Sequence, residues 1–252
     1  MLVIENLSKV YPGGVQALRN VSLTVRGGEF VVIVGLSGSG KSTLLRCINR
    51  LVEPTSGKVS WNGRDITAAN TEELRAIRRQ IGMVFQQFNL VRRLSVLTNV
   101  LAGRLGYVPP SLSLLNHFPR EERERAMRCL ERVGIADKAH VRADQLSGGQ
   151  QQRVGIARAL MQEPRLVLAD EPVASLDPAT SHSVLKYLEQ LNKEEGITVL
   201  CSLHFLSLAR RYATRIVALR AGELVFDGLP TEIDEKRFKE IYGEDAIQVE
   251  VA

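Results

Sequence analysis

The sequence predicts an α/β fold: a core of strands and helices, an antiparallel β segment at the N-terminus and an inserted helical block. Three observations predict it. The apolar run Phe30 to Val34 leads directly into Gly35-Leu36-Ser37-Gly38-Ser39-Gly40-Lys41-Ser42, and a helical run from Thr43 to Leu51 follows. Residues 2–34 alternate and turn like antiparallel strands. From residue 88 to 161 strand-like runs disappear and helical periodicity takes over.

In chain order, Leu2-Val3-Ile4 is one strand-like run and Val21 to Val25 alternates with period two. Gly27-Gly28 marks a turn before the buried strand Phe30 to Val34. Tyr11-Pro12-Gly13-Gly14 forms a loop behind an aromatic side chain. Thr71-Glu72-Glu73-Leu74 starts an Arg-rich helix, and Ile81 to Phe85 is a strand that ends at Gln86-Gln87. Pro119 opens a helix that runs to Val133 and stops at Gly134. Glu121/Arg125 and Glu124/Arg128 lie at i,i+4 in it, and Ala126, Leu130 and Val133 share a face. Gly106 to Phe118 is an apolar loop that either covers the core or docks a partner. Leu146-Ser147-Gly148-Gly149-Gln150-Gln151-Gln152-Arg153 is a glycine turn feeding a helix whose Val154, Ala157, Leu160 and Met161 face inward. Arg165 to Ala169 is a strand ending in Asp170-Glu171. Ser175-Leu176-Asp177-Pro178 starts a helix with Val184, Leu185, Leu188 and Leu191 as its stripe. Ile197 to Ser202 is a buried strand followed by His204. Arg215 to Leu219 and Glu223 to Phe226 form a hairpin around Ala221-Gly222, and a short helical tail closes the chain.

Composition bounds the role. The 252 residues are 44% hydrophobic and 24% charged, with a formal net charge of +5, an ordinary globular balance. That mild basic excess suits an anionic ligand or a membrane-facing partner and is too small to argue for nucleic acid. Cys47, Cys129 and Cys201 are far apart and form no CxxC pair, so a reducing cytosol fits and zinc does not. The start lacks the basic and apolar regions of a signal peptide, and no apolar run is long enough to cross a bilayer. Any membrane contact must then come through a partner.

The candidate chemistry lies at strand and helix ends. The glycines of residues 35–42 let backbone N–H groups wrap phosphates, Lys41 adds a charge for the β- and γ-phosphates, and Ser42 offers a hydroxyl to Mg²⁺. Asp170, at a strand's carboxyl end, suits Mg²⁺, while Glu171 is either a general base or a group that orients water. Gln86 can hold Mg²⁺, orient water, or be a solvated loop residue. His204 is either structural or within reach of a γ-phosphate. The helix start at Ser147-Gly148-Gly149 is a second surface for phosphate. Asn192-Lys193-Glu194-Glu195 lacks the Asp of a guanine-reading motif and precedes its strand rather than following it.

Taken together, residues 35–42, Gln86, Leu146 to Gln150, Asp170-Glu171, Ser175-Leu176-Asp177 and His204 resemble, in order and spacing, the ATP-binding subunits of ABC transporters. The resemblance implies a P-loop NTPase with a RecA-like core, ATP and Mg²⁺ as cofactors, and one ATPase domain over 1–252. Residues 1–87 and 162–252 would form the RecA-like and antiparallel β lobe, and 88–161 the helical lobe. It also implies a head-to-tail homodimer, with permease subunits and a substrate-binding protein, peripheral on the cytoplasmic face of the bacterial inner membrane. By this resemblance Tyr11 stacks on adenine, and Gly35, Ser37, Gly38, Ser39, Gly40, Lys41, Ser42 and Thr43 bind the nucleotide. Ser147, Gly148, Gly149 and Gln150 close over ATP held by the other subunit. Ser42, Gln86 and Asp170 serve Mg²⁺, Glu171 activates water, Asp177 couples the two sites and His204 holds the γ-phosphate. Phe85 to Val91, Arg93 to Leu97, Asn99 to Leu101, Ala174 to Asp177, Leu203-His204, and Arg211-Tyr212 with Arg215 to Arg220 resemble the phosphonate-import ATPases more narrowly. An importer for polar amino acids and a soluble ABC ATPase outside transport are the alternatives.

Overall fold

A computed structural model of the chain describes residues 1–109 and 118–243. The N-terminal part runs β1 (Leu2–Val10), β2 (Gln16–Val25), β3 (Phe30–Val34), α1 (Lys41–Ile48), β4 (Ser56–Trp61), β5 (Arg64–Asp65), α2 (Thr71–Arg78) and β6 (Ile81–Val84). Helices α3 (Val96–Leu101), α4 (Arg120–Arg132) and α5 (Gly148–Leu160) follow. The chain returns to the sheet with β7 (Leu166–Asp170), α6 (Pro178–Glu195), β8 (Thr198–Ser202), α7 (Leu206–Tyr212), β9 (Arg215–Arg220), β10 (Glu223–Gly228) and α8 (Glu235–Tyr242).

The strands form two sheets. One is antiparallel, in the order β2-β1-β4-β5, and the other has the order β10-β9-β3-β8-β7-β6. In the second, β9, β3, β8, β7 and β6 are parallel and only the edge strand β10 is antiparallel. Parallel strands covered on both faces read as continuous apolar runs, and every residue of β3, β6, β7 and β8 is buried. Successive side chains point to opposite faces, which divides the core in two. Val31 and Ile33 face Leu44, Leu45 and Ile48 of α1 and the apolar side of the antiparallel sheet. Phe30, Val32 and Val34 face the other core, which runs without a break through α3, α4 and α5 to α6 and α7. The helices of residues 88–161 thus share a core with one face of the sheet.

Local chemistry sets the element ends. Asn70 caps α2 in a reciprocal box with Glu73, Asp177 caps α6 with Pro178 in its first turn, and Gly196, at φ 66°, ends α6. The expected charge pairs on α4 are not the ones formed. Arg120 pairs with Glu124, while Arg125 turns to Glu122 and to Glu163 beyond its own helix, because a neighbouring element offers a carboxylate. Asn192 is structural: its amide donates to the carbonyls of Gly28 (2.8 Å) and Ile197 (2.9 Å). All three cysteines are buried free thiols, and burial pushes Cys47 up to about 11. Most of the apolar loop read at Gly106 to Phe118, residues 110–117, lies outside the described residues. No helix among the described residues is long and apolar enough to cross a membrane.

Candidate nucleotide site

The carboxyl ends of β3, β7 and β8 meet at one place, and the register decides which residues arrive there. Ile33 lies beside Ser202 and Asp170 beside Ser202. Beyond β3 the backbone turns through Gly35 (φ 142°), Gly38 (φ 77°) and Gly40 (φ 104°) into α1. A Cβ at Gly35 would lie 2.2 Å from the Leu219 carbonyl oxygen, and one at Gly40 2.5 Å from that of Ala17, so neither place admits a side chain. Lys41 Nζ donates to the carbonyls of Gly35 (2.9 Å) and Leu36 (3.0 Å) and lies 3.8 Å from Glu171 Oε1. Burial pushes its ammonium down, and the Glu171 and Asp170 carboxylates oppose that shift.

Two observations test whether these residues fit a phosphate. The buried Ser39 hydroxyl has no hydrogen-bond partner. The N-terminus of α1 has no side-chain cap and no acid in its first turn, whereas α2, α3, α5, α6 and α8 are each capped by a side chain. Open N–H groups at the positive end of a helix suit an anion, so the loop fits phosphate.

Asp170 is fully buried. Its Oδ1 accepts from Ser42 Oγ (2.7 Å) and Ser202 Oγ (3.3 Å), and its Oδ2 from an Arg46 guanidinium nitrogen (3.1 Å). A hydroxyl and a carboxylate in contact are hard oxygen donors of the kind Mg²⁺ takes together with phosphates and water. Glu171 follows in a left-handed conformation (φ 47°). Its Oε2 accepts from Gln86 Nε2 at 2.8 Å and its Oε1 lies 2.7 Å from His204 Nε2. The hydrogen bond from His204 holds the Glu171 carboxyl below its usual range against the opposing effect of burial, and the charges of His204 and Lys41 add to it. Ser37, Glu171, Ala174, Leu203 and His204 line a cavity of about 220 Å³ here. Tyr11 stands at the start of α1, its hydroxyl 3.4 Å from Thr43 Oγ1 and its ring under Lys9 at 5.1 Å.

The structure therefore gathers the 35–42 loop, Gln86, Asp170, Glu171 and His204. Ser147, Gly148, Gly149, Gln150 and Asp177 form a second group. Ser147 caps α5 by accepting from the Gln150 N–H at 3.3 Å, and the Gln150 side chain accepts from the Ser147 N–H at 3.0 Å. A Cβ at Gly149 would lie 2.5 Å from Thr180 Cγ2, and one at Gly148 3.6 Å from Leu176. Asp177 accepts from the Thr180 N–H at 3.0 Å. Arg158 of α5 donates to the Phe88 (2.9 Å) and Asn89 (2.5 Å) carbonyls, tying the turn after Gln86 to the same helix.

Sequence reasoning missed Arg46 and Ser202. Arg46 stands one helical turn beyond Ser42, a spacing that puts both on one side of α1. Ser202 was visible only as a hydroxyl closing a buried apolar strand.

The fold and this loop define the class: the chain belongs to the ABC transporter family, which matches it over residues 18–174. Within that family it is 59% identical over 250 residues to the phosphonates import ATP-binding protein PhnC of Bdellovibrio bacteriovorus, covering 99% of this chain and 96% of that protein. It is 55% identical to the phosphonates import ATP-binding protein PhnC 3 of Halalkalibacterium halodurans, covering 96% of this chain and 94% of that one. Among solved structures it resembles a dimeric ATP-binding cassette in a post-hydrolysis state bound to ADP and Pi. That match has 40% identity and a TM-score of 0.80, and covers 91% of this chain and 99% of the other. A nucleotide-free ATP-binding cassette from an ABC transporter matches at 30% identity and TM-score 0.80, covering 96% and 94%.

Proposed function

We propose that this chain is the ATP-hydrolysing subunit of an ABC importer for phosphonates or related phosphorus compounds. The observation that carries the reading is the placement of Glu171, a carboxylate converged on by Gln86, His204 and Lys41 beside a phosphate-fitting loop. The 59% identity to a phosphonates import ATP-binding protein supports the cargo class. The cargo itself would be chosen by membrane subunits and a binding protein; the phosphates bound by this chain are those of ATP.

In this reading the N–H groups of residues 35–42 and the start of α1 wrap the phosphates, and Lys41 leaves its loop carbonyls for the β- and γ-phosphates. Tyr11 stacks on adenine. Ser42, Asp170 and Gln86 would hold Mg²⁺, which neutralises charge on the phosphates. Glu171 accepts a proton from the water whose oxygen bonds to the γ-phosphorus, and the bond to the β–γ bridging oxygen breaks, releasing ADP and inorganic phosphate. His204 turns from Glu171 to the γ-phosphate. Ser147, Gly148, Gly149 and Gln150 close over the ATP of a second copy and Asp177 links the two sites, so the functional unit is a head-to-tail homodimer. Residues 88–161 act as a helical lobe against the lobe formed by 1–87 and 162–252.

The subunit sits peripherally on the cytoplasmic face of the inner membrane, bound to permease subunits. The reading puts their docking surface at the segment that begins at Gly106 and at the residues just after Gln86; a groove lined by Arg75, Arg79, Leu105, Tyr107 and Val108 adjoins the first. Its Tyr107 hydroxyl donates to the carbonyls of Arg79 (3.1 Å) and Gln162 (2.9 Å), bridging the two lobes.

The test is Glu171→Gln in the complex reconstituted with its membrane subunits. The variant should bind ATP, accumulate ATP-bound dimers and lose hydrolysis by on the order of 10²–10⁴-fold. Near-normal hydrolysis would sink the role of Glu171. Wild-type complex stimulated by an amino acid, and not by 2-aminoethylphosphonate or phosphite, would sink the cargo class.

A further inference from the structure

We infer that Ser202 is a positioning residue for hydrolysis, one hydroxyl that fixes both acids of the site at once; the inference rests on the role proposed for Glu171. Ser202 is the last residue of β8, the central strand between β3 and β7, and it is fully buried. The parallel register sets it directly beside Asp170. Its Oγ accepts from the Glu171 backbone N–H at 2.9 Å and donates to Asp170 Oδ1 at 3.3 Å.

Glu171 is a non-glycine residue at φ 47°. That left-handed conformation is unfavourable for an L-residue and persists where surrounding contacts hold it. The backbone turn there decides where the side chain goes, and it goes back to Gln86, His204 and Lys41. The buried N–H at the turn bonds to Ser202 Oγ. Remove the hydroxyl and the N–H is left unpaired inside the protein, which favours a turn of different geometry. The other half of the bridge bears on Asp170, whose Oδ1 Ser42 shares. Ser202 thereby sets the carboxylate oriented toward the cation and the carboxylate oriented toward water in one geometry. The other residues of the strand's buried end, Val199, Leu200 and Cys201, are apolar or a thiol, so burial alone does not call for a hydroxyl here.

Ser202→Thr and Ser202→Val test this as a pair, since the two side chains have nearly the same shape and only threonine carries a hydroxyl. Any overpacking is common to both. ATP affinity of the isolated subunit, thermal stability, steady-state hydrolysis and dimer accumulation on ATP addition are measured for each. Expected is a kcat for Ser202→Val at least tenfold below that of Ser202→Thr, with KM and ATP affinity within about threefold. Ser202→Val should also accumulate ATP-bound dimers as Glu171→Gln does. In a Glu171→Gln background the valine should reduce residual hydrolysis by much less than it does in the wild-type background, since the part of its effect that runs through Glu171 is already gone and only the part through Asp170 remains. Equal kcat for the Thr and Val variants overturns the inference, as does a valine effect that multiplies fully onto Glu171→Gln. A failure of Glu171→Gln to slow hydrolysis overturns the parent reading instead, so the two outcomes are told apart.

Discussion

Two helix starts in this chain offer themselves to phosphate, and they are built in opposite ways. The start of α1 is left open: no side chain caps it, no acid sits in its first turn, and glycines stand at 35 and 40, where a Cβ would collide with backbone. The start of α5 is closed on itself, because Ser147 and Gln150 satisfy each other's N–H groups. An open N-terminus attracts an anion without giving up anything. A capped one must exchange an internal hydrogen bond for an external one. In the proposed reading the first is the resident binding site, and the second engages only when a second copy brings a phosphate to it. Asymmetry of this kind would let nucleotide bind before the proposed dimer closes.

The contrast is broken most severely at α1. Gly40→Ala would place a methyl 2.5 Å from the Ala17 carbonyl oxygen, a backbone atom of β2 that cannot yield cheaply, at a φ of 104° that L-residues avoid. We expect ATP binding by the isolated subunit to be lost, with the melting temperature lowered by several degrees. Fluorescent-nucleotide titration and calorimetry check both. Retained ATP binding would mean that the loop has more freedom than its contacts allow.

Much of this contrast was legible in the sequence and some was not. The buried strands showed as unbroken apolar runs because a parallel sheet covered on both faces hides every side chain. The 35–42 loop and the Asp170-Glu171 pair announced themselves by type and spacing. β4 did not, because its Ser56-Gly57-Lys58 stretch is exposed and polar and is a strand only through pairing with β1. Gly57 approaches β1 so closely that a Cβ would meet the Asn6 carbonyl at 2.4 Å. Arg46 and Ser202 were unreadable for a related reason. Each reaches Asp170 across more than thirty positions of chain, by helix orientation or strand register that no local pattern encodes. On α4 the charges were read within the helix, while Arg125 answered to Glu163 outside it.

At α5 the question is whether Gly149 is glycine for packing or for a partner's phosphate, and both readings predict that a side chain is harmful. Gly149→Ala sets a methyl 2.5 Å from Thr180 Cγ2, an overpacking expected to cost about 1–3 kcal/mol. Thr180→Ser removes that methyl and keeps the backbone N–H bonded to Asp177. The double variant should regain the stability lost in Gly149→Ala, bind ATP as an isolated subunit like wild type, and remain unable to hydrolyse it. Thermal unfolding beside steady-state hydrolysis decides the matter. Recovery of hydrolysis along with stability would reduce Gly149 to a spacer between α5 and α6.

The smallest effect sharpens the comparison most, because it separates the two duties of one hydroxyl. Ser147→Ala removes the acceptor of the Gln150 N–H and with it half of the capping box. A lost serine cap costs about 1 kcal/mol, a fall of roughly 2–4 °C for a domain of this size. Ser147→Asp, also a good cap, should restore the melting temperature, since its carboxylate accepts the same N–H. At a closed dimer the two differ in charge: alanine merely forgoes a donor, whereas the negative aspartate would face a phosphate. Hydrolysis should therefore fall further in Ser147→Asp than in Ser147→Ala although the former is the more stable protein. Stability and activity changing in opposite directions at one residue is the outcome that a purely structural cap would not produce, and hydrolysis that follows the melting temperature would return Ser147 to that plain role.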